Sequence, residues 1–134
     1  MFVDASALVA IVLGEPDARP LAERLEAAED RVTSPIAIYE AVLAIARIRG
    51  NGLASARSDL QVLIDAAEIG VVPVTPEDAE VALAAFERYG KGRGHPSRLN
   101  MGDCFAYALA RRRGVPLLFK GDDFSKTDLG GGAP

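Results

Sequence analysis

Four short apolar or β-branched runs, at residues 1–3, 31–33, 71–74 and 115–119, are separated from one another by helical patterns. That alternation constrains the chain more than any other feature. Strands joined by helix-length crossovers pair in parallel, and a parallel sheet needs helices over both faces. The fold class it predicts is α/β, a central and mostly parallel sheet between helical layers. Helices are expected at 5–13, broken by Gly14-Glu15-Pro16, and at 17–30, with Leu21, Leu25 and Ala28 inward. A third begins after Ser34-Pro35, an N-cap followed by proline at the first helical position. Further helices are expected at 53–69 after the turn Gly50-Asn51-Gly52, at 76–89 after the Thr75 cap with Asp78 three residues on, and at 100–114. Residues 128–129 are expected to add a last edge strand.

The chain length of 134 residues suits one domain with a substantial core. No apolar run reaches the roughly 20 residues that cross a bilayer. Asp4 near the start, without a basic region before the apolar run, argues against a signal peptide, so a cytoplasmic protein is expected. With Cys104 and His95 the only cysteine and histidine, neither a disulfide nor a histidine-rich zinc centre can form, and any metal must take oxygen ligands. The net charge of −4 argues against binding nucleic acid by bulk electrostatics. A bound divalent cation would supply local positive charge that this count omits.

Against that background, a few acids stand out. Asp4 is the only charge in the first fourteen residues, at the end of a strand that feeds a helix, where open α/β sheets place ligands. Ser6 follows it, able to bond backbone or ligand. Glu40 is the only charge between Ile36 and Ala46, in a helix apolar on nearly all sides. A buried carboxylate of that kind needs either a basic partner, such as Arg47 or a distant arginine, or a cation. Asp103 opens the apolar run CFAYALA, as a helix cap, a ligand or both. Asp122 and Asp123 follow the last strand, the topological position Asp4 holds on the first. Between the fifth helix and Asn100 lies GKGRGHPSR, a glycine-rich loop carrying Lys91, Arg93, His95 and Arg98 without an acid. It reads equally as a solvated loop or as an arm that contacts phosphates. His95 in such a loop reads as exposed rather than as a general base.

Three or four carboxylates cannot share a pocket as bare anions, because their repulsion raises their pKa values. A divalent cation resolves the conflict, and all-oxygen ligation suits Mg²⁺ or Mn²⁺. Such a site activates water and neutralises a phosphodiester, so metal-dependent phosphodiester hydrolysis is the expected chemistry.

The ordered set FVDASALVAI, SPIAIYEAVLAI, NMGDCFAYALA and PLLFKGDDFSKTDL resembles the PIN-domain ribonucleases, specifically the VapC toxins of bacterial toxin–antitoxin pairs. The resemblance covers about residues 1–129 and leaves 130–134 as an expected disordered tail. It implies a three-layer α/β/α sandwich and a Mg²⁺-dependent (or Mn²⁺-dependent) endoribonuclease cutting transfer or ribosomal RNA. Asp4, Glu40 and Asp103 match the family's metal-binding acids. Asp4 and Asp103 would ligate directly, and Glu40 through water or by orienting the attacking water. The fourth acid falls on Asp122, with Asp123 as the alternative, because many relatives carry a single acid at different spacing before the phenylalanine. Ser6 and Asn100 match supporting polar positions, and Lys91, Arg93 or Arg98 would steady the RNA. The implied partners are a second copy in a homodimer and a VapB-type antitoxin, forming a hetero-oligomer in which an arginine can enter among the carboxylates. Two other readings compete: a catalytically weak interaction domain of the same fold, and a Mg²⁺-binding receiver-like domain. The latter needs paired acids after the first strand, where Asp4 stands alone.

Overall fold

The computed structural model describes residues 1–130. In chain order the elements are β1 (Phe2–Val3), α1 (Ala5–Leu13), α2 (Ala18–Ala27), β2 (Val32–Thr33), α3 (Pro35–Arg49), α4 (Leu53–Ala66), β3 (Gly70–Val71), α5 (Pro76–Tyr89), α6 (Met101–Arg113) and β4 (Leu117–Leu118). The strands form one parallel sheet in the order β3-β2-β1-β4. Phe2 stands beside Leu117 and Val3 beside Leu118.

The two-residue period of a strand explains how so short a sheet divides the interior in two. Val3 and Leu118 point to one face, where they pack with Leu8, Leu21, Ile45 and Leu60 of α1 to α4. Phe2 and Leu117 point to the other, where they meet Ala85, Tyr89, Tyr107 and Leu109 of α5 and α6. The result is the expected three-layer α/β/α sandwich. Leu8, Ile45, Leu60, Phe2, Tyr89 and Leu109 are essentially fully buried. Each large apolar side chain so buried contributes about 1.5–3 kcal/mol.

Helix ends follow local chemistry. Ser34 caps α3 by accepting from Ala37 N, with Pro35 in the first turn and Gly50 left-handed at the far end. Thr75 and Asp78 form the capping box of α5. Asn100, rather than Asp103, caps α6, and Asp103 completes a second capping box from the third helical position. Asp103 is therefore not the cap residue; it is the cap's reciprocal partner.

Several boundaries differ from expectation. The second helix ends at Ala27, where Ala28 turns extended, instead of running to 30. The Arg31 guanidinium fills that corner, donating to the carbonyls of Ala28, Ala67 and Glu26. The fourth helix ends at Ala66 rather than 69, beyond which Glu68 takes a positive φ of 52°. The third strand is Gly70–Val71 instead of 71–74, an exposed edge beyond which Pro73 has no N–H to extend the ladder. The strands expected at 1–3, 31–33 and 115–119 are likewise trimmed to two residues each. No strand forms at 128–129, because Asp128 accepts from Tyr107 Oη at 2.7 Å and pairs with Arg111, which holds the segment in turns against α6. The expectation that α3 is buried nearly all round also fails, since Tyr39, Leu43 and Ile48 are exposed. Of the tail expected at 130–134, residues 131–134 lie outside the described residues, while Gly130 N donates to Thr127 O.

Candidate metal centre

Parallel strands place their C-terminal ends, and the loops that follow, along one edge of the sheet. On this edge Asp4 follows β1, Ser34 follows β2, and Lys120 follows β4 closely. Asp4 is fixed there by its backbone, with Asp4 N donating to Leu118 O at 3.0 Å. Ser6 reinforces it: its N–H and its hydroxyl both donate to Asp4 Oδ2, at 3.0 and 2.5 Å. The Ser6 oxygen in turn accepts from Lys120 N at 3.0 Å, tying α1 to the loop after β4. Ser6 thus holds the acid and the loop together.

Glu40 reaches this edge from α3 and Asp103 from α6. Glu40 is half-buried and rests on Gly102, where any Cβ would collide with its carboxylate. The glycine at the helix entry is a cradle for the facing acid. Asp103 Oδ2 accepts from Asn100 N at 3.0 Å, while Asn100 Oδ1 accepts from Asp103 N at 2.8 Å. Asn100 therefore orients Asp103 directly.

The electrostatics of the three acids share one direction. Burial raises the Asp4 carboxyl above its ordinary value, against the lowering effect of its Ser6 bonds. Burial and then the charges of Asp4 and Asp103 lift Glu40 to about 7. Burial, with Asp4 and Asp123 adding to it, lifts Asp103 to about 7 against the Asn100 bond. Among the described residues no basic side chain forms an ion pair with any of the three. The Arg47 pair considered for Glu40 does not form; Arg47 lines the same cleft without pairing. Lys120, which also lines it, is taken by Glu15 at 3.0 Å.

Two clefts, each of about 320 Å³, meet at Asp103. The first holds Asp4, Glu40 and Asp103 together with Ser6 and Lys120. The second is lined by Asn100, Asp122 and Asp123 together with Lys91, Arg98 and Lys126. Both members of the Asp122/Asp123 pair are exposed and line this second cleft. Only the Asp123 charge enters the environment of Asp4 and Asp103. Arg93 lines neither cleft. His95 is turned to local structure: its Nδ1 accepts from Ser97 N at 3.1 Å and its ring meets Tyr89 edge-on at 4.8 Å.

The donor set fits a hard cation. All of its candidate ligand atoms are carboxylate oxygens, no basic side chain among the described residues pairs with them, and Gly102 leaves room for the Glu40 carboxylate at the start of α6. The side chains are not yet a finished shell, since no trio of His, Cys, Asp or Glu among the described residues is arranged around one ion position. Sequence reasoning missed Lys120, Lys126 and Ser97. Only their three-dimensional placement marks them out, because nothing in the spacing of these residues distinguishes them from their loop neighbours.

Known proteins resemble this chain over nearly its whole length. The model of the PIN domain matches residues 1–129. A VapC ribonuclease of Rhizobium meliloti (strain 1021) is 41% identical, over 96% of this chain and 99% of that protein. Ribonuclease VapC42 of Mycobacterium tuberculosis is 45% identical over 96% of each chain. The crystal structure of Mycobacterium tuberculosis VapC20, described as a Sarcin-Ricin loop cleaving toxin, superposes with a TM-score of 0.73. That match covers 95% of this chain and 94% of the other, and at 22% identity it shows a shared fold.

Proposed function

This chain belongs to the PIN domain family, and from that premise we propose that it is a VapC-type ribonuclease, the toxin of a toxin–antitoxin pair. One observation carries the reading: three carboxylates at the sheet's C-terminal edge, two of them lifted to about 7, without a basic partner among the described residues. A structural cluster would be neutralised by arginine or lysine. These acids instead suit Mg²⁺ or Mn²⁺.

In this reading Asp4 and Asp103 hold the ion directly, and Glu40 holds it through water or orients the attacking water. Asp123 takes the fourth place in preference to Asp122, because its charge is the one felt by Asp4 and Asp103. The bound cation supplies a water of lowered pKa and charge compensation at the phosphodiester. Ser6 keeps the Asp4 carboxylate aimed through two hydrogen bonds. Asn100 does the same for Asp103. The substrate is RNA, of the transfer or ribosomal class, steadied by Lys91 and Arg98.

Partners belong to the same proposal. A VapB-type antitoxin would close the cleft, and a homodimer would set two clefts together. The exposed apolar side chains Tyr39, Leu43 and Ile48 on α3, the helix that carries Glu40, support a covered face. No helix among the described residues is long and apolar enough to cross a membrane, which is compatible with a cytoplasmic location.

The direct test is hydrolysis of structured RNA by the isolated protein with and without EDTA, beside Asp103→Asn. Cleavage that stops with EDTA and in the variant is expected. Cleavage that survives both contradicts the assignment.

A further inference from the structure

The second cleft has features that the acid cluster does not explain. Lys91, Arg98 and Lys126 line it, and none of the three makes an ion pair among the described residues. Ser97 lines the same cavity, is 2% exposed, and its hydroxyl has no hydrogen-bond partner among the described residues. An unpaired buried hydroxyl is rare enough to require a reason, and a ligand that completes it is one. Arg98 itself stands at a φ of 53°, a conformation a side-chain-bearing residue adopts only when its surroundings impose it.

Three unspent cations around an orphan hydroxyl form the complement of an oxyanion with several acceptor oxygens. A metal ion has the wrong charge to be held by these three cations. The cleft shares Asp103 with the first cleft, so a polymer of regularly spaced anions can occupy both at once. Resting on the ribonuclease reading above, we propose that this cavity seats a single RNA backbone phosphate, next along the strand from the one that is cut. Lys91, Arg98 and Lys126 hold it, and the Ser97 hydroxyl donates to it. Asp122 and Asp123 line the same cavity and repel a phosphate placed against them. Arg93, although in the same basic loop, takes no part.

The test is binding of a fluorescent single-stranded RNA oligonucleotide, by anisotropy in EDTA, across a series of KCl concentrations. Each phosphate of a single strand that the protein no longer neutralises flattens the log–log salt slope by about 0.7. Lys126→Ala and Arg98→Gly are each expected to weaken binding and to flatten the slope by about that amount. The glycine in the second variant accepts the positive φ, which preserves the loop. Ser97→Ala should weaken binding by about fivefold with the slope unchanged, as loss of one neutral donor does, and should melt no lower than wild type. Arg93→Ala should match wild type in both affinity and slope.

Wild-type slopes in Lys126→Ala and Arg98→Gly, in a protein that still cleaves RNA with a divalent ion, would overturn the phosphate seat and leave the ribonuclease reading standing. Arg93→Ala losing as much slope as Lys126→Ala would overturn it too, pointing to diffuse charge. A wild-type protein that neither binds nor cleaves RNA would remove both.

Discussion

Asp78 and Asp103 occupy the same local position and have opposite fates. Each is the third residue of a helix, each closes a capping box with the residue before that helix, and their helices pack against each other. Asp78 is almost fully buried and receives Arg112 from α6 at 2.7 Å. Burial works to raise its pKa, but the bonds from Thr75 and Arg112 and the Arg112 charge outweigh it, and Asp78 stays below the ordinary range. Asp103 receives the same kind of backbone bond from Asn100, yet burial, with the charges of Asp4 and Asp123 adding to it, lifts it to about 7. The capping motif is thus silent about function. What separates the two acids is that Arg112 offsets the burial of Asp78, while Asp4 and Asp123 add to that of Asp103.

The comparison is broken most severely at Asp103. Asp103→Asn keeps a side-chain acceptor for the cap but removes the charge, and RNA cleavage should fall by at least about 100-fold, beyond what loss of a merely supporting group costs. Asp78→Asn should leave the cleavage rate per folded molecule close to wild type. A comparable rate loss in both variants, measured as kcat/KM on one RNA, would erase the distinction.

A smaller effect is expected from Gly102→Ala. The new methyl would displace the Glu40 carboxylate, lowering cleavage by about 10-fold or more, as removal of a supporting group around a metal site does. Alanine also favours a helix over glycine by up to about 1 kcal/mol, so thermal unfolding should show stability held or raised. Reduced stability with intact cleavage would mean that the cradle is only packing.

On the structural side, Arg112→Ala leaves Asp78 buried without its cation while Thr75 still donates to it. The expected loss is about 1–3 kcal/mol in urea unfolding, with kcat/KM little changed. No stability change would show that Arg112 is dispensable to Asp78.

The smallest effect is in pH dependence. Raised carboxyl pKa values mean that the native protein binds more protons than the unfolded chain between the ordinary values, 3.8 for Asp103 and 4.5 for Glu40, and about 7. Stability of the metal-free protein should therefore fall as pH rises through that window. Asp78 has the opposite sign, its contribution being lost only as pH falls below the ordinary carboxylate range. Glu40→Gln should flatten the fall toward pH 7, as followed by melting temperature.

Much of this was legible in the chain. The alternation of short apolar strands with helical segments suffices for the layered parallel sheet. Glu40 was conspicuous as the only charge between Ile36 and Ala46, in a helix whose sequence is apolar on nearly all sides. Asp103 was harder, since an aspartate before an apolar run reads as an N-cap until Asn100 is seen to hold that position. Asp78 carried its local role in the spacing from Thr75, but not its partner, because Arg112 lies 34 residues away in sequence. The same distance problem hid the Glu15–Lys120 pair and the Tyr107–Asp128 bond that replaces the expected edge strand. Adjacent acids, such as Asp122 and Asp123, have no sequence signal to rank them; only the field at Asp4 and Asp103 does that.

Carboxyl ¹³C NMR titration tests the central claim most directly, followed in the metal-free protein and again with Mg²⁺. The account predicts that Glu40 and Asp103 titrate near 7 without the ion and move sharply downward with it, while Asp78 stays low in both. Asp103 titrating in the ordinary carboxylate range, indifferent to Mg²⁺, would contradict it.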